Sequence, residues 1–359
     1  MNFLDQHEKT LKRYDYLWHN EILDRCCISV TAPKDPDHLY QDNKPTSKED
    51  LKRWYTDGEW IVTRNLKKID HTYYAGDALP CIFPYFGTGG HAKYICPESN
   101  VEYEPDTIWI HPSIKDLQSY CYDFDPNTNP VFQQEKKLLE YFASEAKGRY
   151  FVGMPDNCGS YDALAQLRGN EELLIDLLTD PDNVKYAGKK IVQILKSSGD
   201  ILFNAVKDNC CGGSFQGWMN LWAPGKLMQL QCDLSVMISP DIFREFIVDE
   251  LTESSEWLDY AVYHMDGIEQ IRHLDTILQI PKINMIQWVQ VDGQPPATEY
   301  IPVLQKIQKS GRGLTIIISK HQIKDLLENL SPKGLNLVVQ DASSPDEADR
   351  IVKLAETYR

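Results

Sequence analysis

Residues 261–295 read AVYHMDGIEQIRHLDTILQIPKINMIQWVQVDGQP. Two short apolar runs, Ala261–His264 and Ile283–Val289, have the length and residue types of strands. Each is followed by residues better suited to chemistry than to packing. After the first stand His264, Asp266 and Gly267; at the end of the second stand Trp288, Gln290, Asp292, Gly293 and Gln294. Between the runs, Ile268, Ile271, Leu274 and Leu278 recur at helical spacing, which predicts a helix over Gly267–Ile280. The order is therefore strand, functional loop, helix, strand, functional loop. In parallel α/β proteins sites are built at the C-terminal ends of strands, so the two loops are expected to open on one face.

The same alternation extends outward from this stretch. Toward the C-terminus it predicts a helix over Thr298–Ser310, a buried strand at Gly313–Ser319, a helix at Gln322–Leu330, a strand at Leu335–Val339 and a closing helix at Asp346–Thr357. Toward the N-terminus it predicts a strand at Arg149–Gly153, helices at Asp162–Leu178 and Pro181–Asp208, and short strands at Gly217–Trp222 and Leu227–Cys232. A helix follows over Ser239–Ser255, which opens with a Ser-Pro-Asp cap. Upstream of residue 149 the pattern is less regular. Asp5–Asn20 is an amphipathic helix, Arg25–Thr31 a strand, and a long helix runs from Ser47 to about Asp70. Leu79–Phe86 leads as an irregular strand into Gly87-Thr88-Gly89-Gly90-His91, read first as a tight turn and second as a substrate-contacting loop. Val101–His111 is an inserted β-hairpin, and Val131–Lys147 is a helix.

Strands alternating with helices favour a parallel sheet, and the strand count comes near eight. No Gly/Ser linker interrupts the chain. The expected fold is a single-domain (β/α)8 TIM barrel over 1–359, in which 1–148 carries the N-terminal extension, first strands and hairpin, and 149–359 the regular repeats.

A chain of 359 residues with 42% hydrophobic content can bury a large core. Its formal net charge of −16 and the lack of any Lys/Arg-rich run exclude a generic nucleic-acid binder. The first residues lack an apolar core of signal-peptide length, and no apolar run has the length of a membrane span, so a cytoplasmic protein is expected. The nine cysteines show no framework spacing and are expected as free thiols.

His264 and Asp266 can supply an imidazole and a carboxylate to one metal, or form an acid/base pair. Against this stands a His satisfied by a backbone carbonyl at the barrel rim. Asp233, after the run Leu227–Cys232, is another strand-end carboxylate and a candidate ligand; Cys232 beside it reads as a buried thiol. Asp341 is the candidate ligand from the last loop. Asp156, in the small-residue turn after Arg149–Gly153, is the third catalytic candidate. Trp288, Gln290, Gln294, Trp222 and Tyr161 are candidates for shaping a substrate pocket, with core packing as the competing reading for the aromatic ones.

Four segments carry a resemblance to a known family: Gly153–Leu178, Cys232–Val248 with its ISPxxFxxF core, the His264-Met265-Asp266-Gly267 strand end, and Asp341–Val352. In their order they resemble the uroporphyrinogen decarboxylase superfamily, which includes corrinoid-linked methyltransferases. The chain looks most similar to decarboxylase-like proteins of methyl-transfer systems, in which an HxDG loop is followed by IQWVxxxGQP. The resemblance implies a TIM barrel with a pocket at the C-terminal strand ends. It also implies methyl transfer between a small methylated substrate and a corrinoid protein or related acceptor, with zinc as the candidate metal and a His264–Asp266 acid/base pair as the alternative to it. The alternatives it leaves open are decarboxylation of another carboxylated substrate and a barrel that binds a ligand or partner without catalysis; a homodimer is also open. The chain departs from the family in two places. Residues 20–60 lack the Arg-rich segment with which uroporphyrinogen decarboxylases grip propionates. Asp266 stands where the thiol methyltransferases place a zinc-binding cysteine, and the last loop offers Gln340, Asp341 and Ser343.

Overall fold

The computed structural model describes residues 3–358, with side chains from His7 onward. Among the described residues thirteen strands are formed: β1 Cys27–Pro33, β2 Thr72–Gly76, β3 Cys81–Ile82, β4 Val101–Tyr103, β5 Ile108–Ile110, β6 Phe151–Val152, β7 Ser214–Gln216, β8 Leu221–Ala223, β9 Leu227–Gln231, β10 Tyr260–Asp266, β11 Met285–Val289, β12 Gly313–Ile318 and β13 Leu335–Val339. A seven-stranded sheet has the order β2-β1-β13-β12-β11-β10-β9. Every pairing in it is parallel except that of β2 on β1. Strands such as Leu335–Val339, buried along their whole length, are what a sheet covered on both faces requires.

The hydrogen-bonded ladder does not close into a full ring among the described residues. The antiparallel β2 occupies the free edge of β1, and β3 pairs in parallel only with β6. Single bonds continue the wall: Gly153 N–H donates to Ile82 O at 2.9 Å and Met154 N–H to Phe215 O at 2.8 Å. The architecture is a mixed α/β fold around a central parallel sheet, with β4 and β5 forming the expected hairpin insertion.

Several expectations need correction. The helix predicted from Ser47 to Asp70 is two helices, Lys48–Thr56 and Gly58–His71. Asp57 ends the first with non-helical backbone and caps the second by accepting from Trp60 N–H. Asp162–Leu178 is likewise divided, at Gly169, whose φ of +99° no side-chain-bearing residue adopts easily. Gly217–Trp222 is not a strand of the main sheet: it spans a 3-10 turn and the start of β8, which pairs antiparallel with β7. Gly267–Ile280 starts as a 3-10 helix over Ile268–His273, with α-helix only over Leu274–Ile277. Strand β2 was not expected, because TYYAG follows directly on a helix with no turn residue between them.

The register of the parallel strands creates one row of polar residues. Cys27 lies beside Asn336, Asn336 beside Thr315, Thr315 beside Gln287, Gln287 beside His264, and His264 beside Gln231. Neighbours in register point to the same face of a sheet, so these side chains share the interior. Asn336, Thr315 and Gln287 are fully buried there, and Asn336 Nδ2 donates to Thr315 Oγ1 at 2.9 Å.

Candidate active site

The site sits where β9, β10 and the segments following β3, β6 and β7 meet. Parity along the strands determines what faces it. In β10, His264 and Asp266 point inward, while Tyr263 and Met265 are fully buried on the other face. In β9, Gln229 and Gln231 face the same way as His264. Together with Asp156, Asp162, Asp233, Trp218 and the aromatic residues Phe83, Tyr85 and Trp109, they line a cavity of about 620 Å³.

Asp233, His264 and Asp266 each offer a ligand atom within 4.8 Å of the others, the one such His/Cys/Asp/Glu trio among the described residues. His264 Nδ1 lies 2.8 Å from Gln287 Oε1. An amide oxygen only accepts, so Nδ1 is the donor and Nε2 is the nitrogen left to take a ligand. Nε2 is 3.9 Å from Asp266 Oδ1. The Trp218 ring stands edge-on to the imidazole at 5.3 Å and fixes its other side. Asp233 Oδ1 is buried without a hydrogen-bond partner, while the other oxygen accepts from Gln231 Nε2 at 3.0 Å. An orphaned carboxyl oxygen beside an imidazole oriented through its other nitrogen fits a divalent cation, whose ligand His is usually held by a hydrogen bond to its second nitrogen. The donor set of one imidazole and two carboxylates is compatible with zinc.

The acids around the trio are packed against each other. Burial, with Asp162, Asp266 and Asp156 nearby, pushes the Asp233 carboxyl up to about 8. Burial also raises Asp162, opposed by backbone N–H groups of Leu234 and Asp233 that donate to it at 2.9 Å each. Asp162 thus holds the turn that presents Asp233. It reaches that turn because Gly159 lets its helix pack against β9: a Cβ there would stand 1.9 Å from Gln231 O. Burial raises Asp156 too, opposed by the amide of Gln229, which donates to it and accepts in turn from Gln216.

Behind this cluster, Glu250 is buried, and desolvation lifts its carboxyl from 4.5 to about 7 against a hydrogen bond from Ser254 Oγ. A carboxyl whose folded-state value is raised stabilises the fold least when ionised. Stability is greatest below the unfolded value and falls as pH rises from 4.5 to about 7. Glu250→Gln is therefore expected to be more stable than the parent by about 2–3 kcal/mol at pH 8 and nearly equal to it at pH 4.5, measured by urea unfolding. Equal differences at both pH values would show that the Glu250 carboxyl titrates alike in the folded and unfolded chain.

No protein-family model and no curated protein sequence matches the chain. Solved structures do match it. One is a methyltransferase from Methanosarcina mazei, which superposes with a TM-score of 0.63 at 12% identity over 97% of this chain and 98% of that one. At that identity the likeness shows the fold alone.

Of the residues singled out in the sequence, Asp156, Asp233 and His264 line one cavity, with Asp266 joining the last two. The others do not meet there. Trp288 has the opposite parity to Gln287 in β11, so it points away from the interior and packs 5.1 Å from Tyr300. Trp222 lies in a core layer with Trp18, Cys27 and Leu227 at the start of the strands, and its indole donates to Cys210 O. Tyr161 is packed against Gly188 and Phe246. Gln290 is exposed and accepts from Gln322. Gln294 ties two loops together, accepting from Ile268 N–H and donating to Glu269. Asp341 is engaged elsewhere on the rim, where its carboxylate accepts from Ser319 Oγ and Lys320 N–H, and it does not join the metal trio. Cys232 is a buried thiol, raised well above its ordinary value by burial and by Asp162, as a core thiol should be.

Sequence reading missed Asp162, Gln229, Gln231, Gln287 and the aromatic walls. A signal existed: LMQLQ and MIQWV each carry a glutamine inside an apolar strand, which an inward polar position would explain.

Proposed function

We propose that the chain is a methyltransferase on a (β/α)8 barrel, moving a methyl group between a small methylated substrate and a corrinoid protein or related acceptor, with zinc held by Asp233, His264 and Asp266. The observation that carries this reading is the trio itself: three ligand atoms within 4.8 Å of one another, with the imidazole already oriented by Gln287. The fold shared with a methyltransferase supports it. A bound divalent cation would supply Lewis-acid polarisation of a heteroatom in the reacting pair. The protein's own contribution is positioning. Gln287 fixes the tautomer and plane of His264, Asp162 holds the turn carrying Asp233, and Gln229 donates to Asp156 at the cavity wall. Trp218 and the other rings exclude water from the reacting atoms.

Decarboxylation of a polycarboxylate is less well supported, because none of the described residues lining the cavity is Lys or Arg. The test is formation of a methylated corrinoid, followed by its absorption spectrum, when the zinc-loaded chain is mixed with methylated donors and a reduced corrinoid protein. Donor-dependent spectral change supports the reading. A folded, zinc-loaded chain that produces none with any donor, or that releases carbon dioxide instead, would overturn it.

A further inference from the structure

A second cavity, of about 200 Å³, lies behind the hairpin and shares none of its lining residues with the candidate active site. Its walls come from the hairpin, the helices Lys48–Thr56 and Pro130–Ala146, and the 3-10 turn Gly90–Tyr94. Parity in β5 divides the hairpin between the two spaces. Ile108 and Ile110 are buried and line the second cavity, while Trp109 between them is 53% exposed and lines the first. The glycine loop is divided likewise, with Thr88 on the active-site side and Gly89 behind it. A Cβ on Gly89 would overlap Ile110, so loop and hairpin meet with no glycine side chain to hold them apart. The hairpin is thus one thin partition with a cavity on each face.

We propose that the second cavity is an effector site for a neutral, single-ring molecule bearing a hydroxyl group, and that its occupant sets the position of Trp109 through the hairpin. Size and lining select the ring. An apolar cavity of about 150 Å³ holds a benzene molecule, and this one is somewhat larger and faced by Tyr55, Phe86 and Tyr103. Charge selects a neutral molecule. Lys93 and Glu135, with side chains 11% and 4% exposed, lie 2.8 Å apart in the cavity wall, and Lys52 pairs with Glu98 at 2.8 Å. Each lining cation has its own lining acid, so a charged ligand would have to separate a pair and leave a charge behind. The hydroxyl is selected by Glu135. Its Oε2 faces the Lys93 ammonium but accepts no hydrogen bond, which leaves an open acceptor in a buried wall. A ligand O–H donating there satisfies it without disturbing the ion pair. A ring held against Ile108 and Ile110 acts on the backbone that also carries Trp109, and an equilibrium effect of this kind is reciprocal between the two cavities. The inference rests on the hairpin and this cavity alone and is independent of the methyl-transfer reading.

Titration calorimetry of the full chain tests the site, with phenol as the probe and benzoate and fluorobenzene as controls. Phenol is expected to bind at least about tenfold more tightly than benzoate, which is charged, and about fivefold more tightly than fluorobenzene, which lacks the donor. Val131→Trp and Gln134→Trp fill the cavity from exposed positions near the start of the helix Pro130–Ala146, where a larger side chain does not threaten the core. Each is expected to lower phenol affinity by at least about tenfold with folding preserved. In a chain labelled with fluorotryptophan, the fluorine NMR signal of Trp109, assigned by its loss in Trp109→Phe, is expected to move along the calorimetric binding curve. Benzoate binding as tightly as phenol overturns the inference. So does phenol affinity unchanged in both filling variants, which would put phenol in another cavity. A Trp109 signal that stays in place at saturating phenol overturns the coupling through the hairpin.

Discussion

His264→Ala is expected to lower methyl transfer by at least about 10²-fold and to release the bound metal, with folding preserved. The side chain is mostly shielded but lines a cavity rather than filling the core, so its removal enlarges an existing space instead of opening a new void. Gln287→Leu separates orientation from ligation. It keeps the imidazole and deletes only the oxygen that accepts from Nδ1. Metal affinity is then expected to fall by about 10- to 100-fold rather than vanish, the range seen when an outer partner of a ligand His is removed. If Gln287→Leu matched the parent in both metal affinity and rate, the tautomer argument would be wrong.

Asp77→Asn is expected to cost the fold about 3–5 kcal/mol, read from the midpoint of urea unfolding. Asp77 is completely buried and pairs with both Arg13 and Arg25, each of them buried as well. One of its oxygens also accepts from Ile28 N–H at 3.0 Å, so the carboxylate joins the N-terminal helix to the first strand of the sheet. An asparagine keeps the size but leaves two guanidinium groups facing an amide, and Arg25 has no other acidic partner among the described residues. Arg13 retains Asp24, which is why the loss is a few kcal/mol and not complete unfolding. A loss below about 1 kcal/mol would mean that solvent reaches the guanidinium groups.

The alternation of strands and helices from residue 149 onward was legible because each apolar run is bounded by turn residues and each helix keeps its spacing. His264, Asp266 and Asp233 were legible for a different reason: polar residues at the ends of buried strands have no packing purpose. Asp156 stood out by its place in a strand-to-helix turn. What could not be read was register. Gln287 and Trp288 are adjacent, and beyond the oddity of a glutamine inside an apolar strand it is the pairing of His264 with Gln287 that decides which of them enters the interior. That one-residue parity made Trp288 a core residue and Gln287 part of the site. Asp341 shows the same limit at larger scale. It stands at a strand end like Asp233, but the loop after β12 takes its carboxylate before it can turn toward His264. The aromatic wall was out of reach because Phe83, Trp109 and Trp218 come from three segments that only the folded chain brings together.

Whether Asp233, His264 and Asp266 form one metal centre is measured most directly by zinc content. Elemental analysis of the folded chain, after equilibration with zinc and removal of the excess, is expected to give about one zinc per chain in the parent and near none in His264→Ala or Asp233→Asn. A parent chain that is folded yet holds no zinc, or variants that hold as much as the parent, would contradict a shared centre.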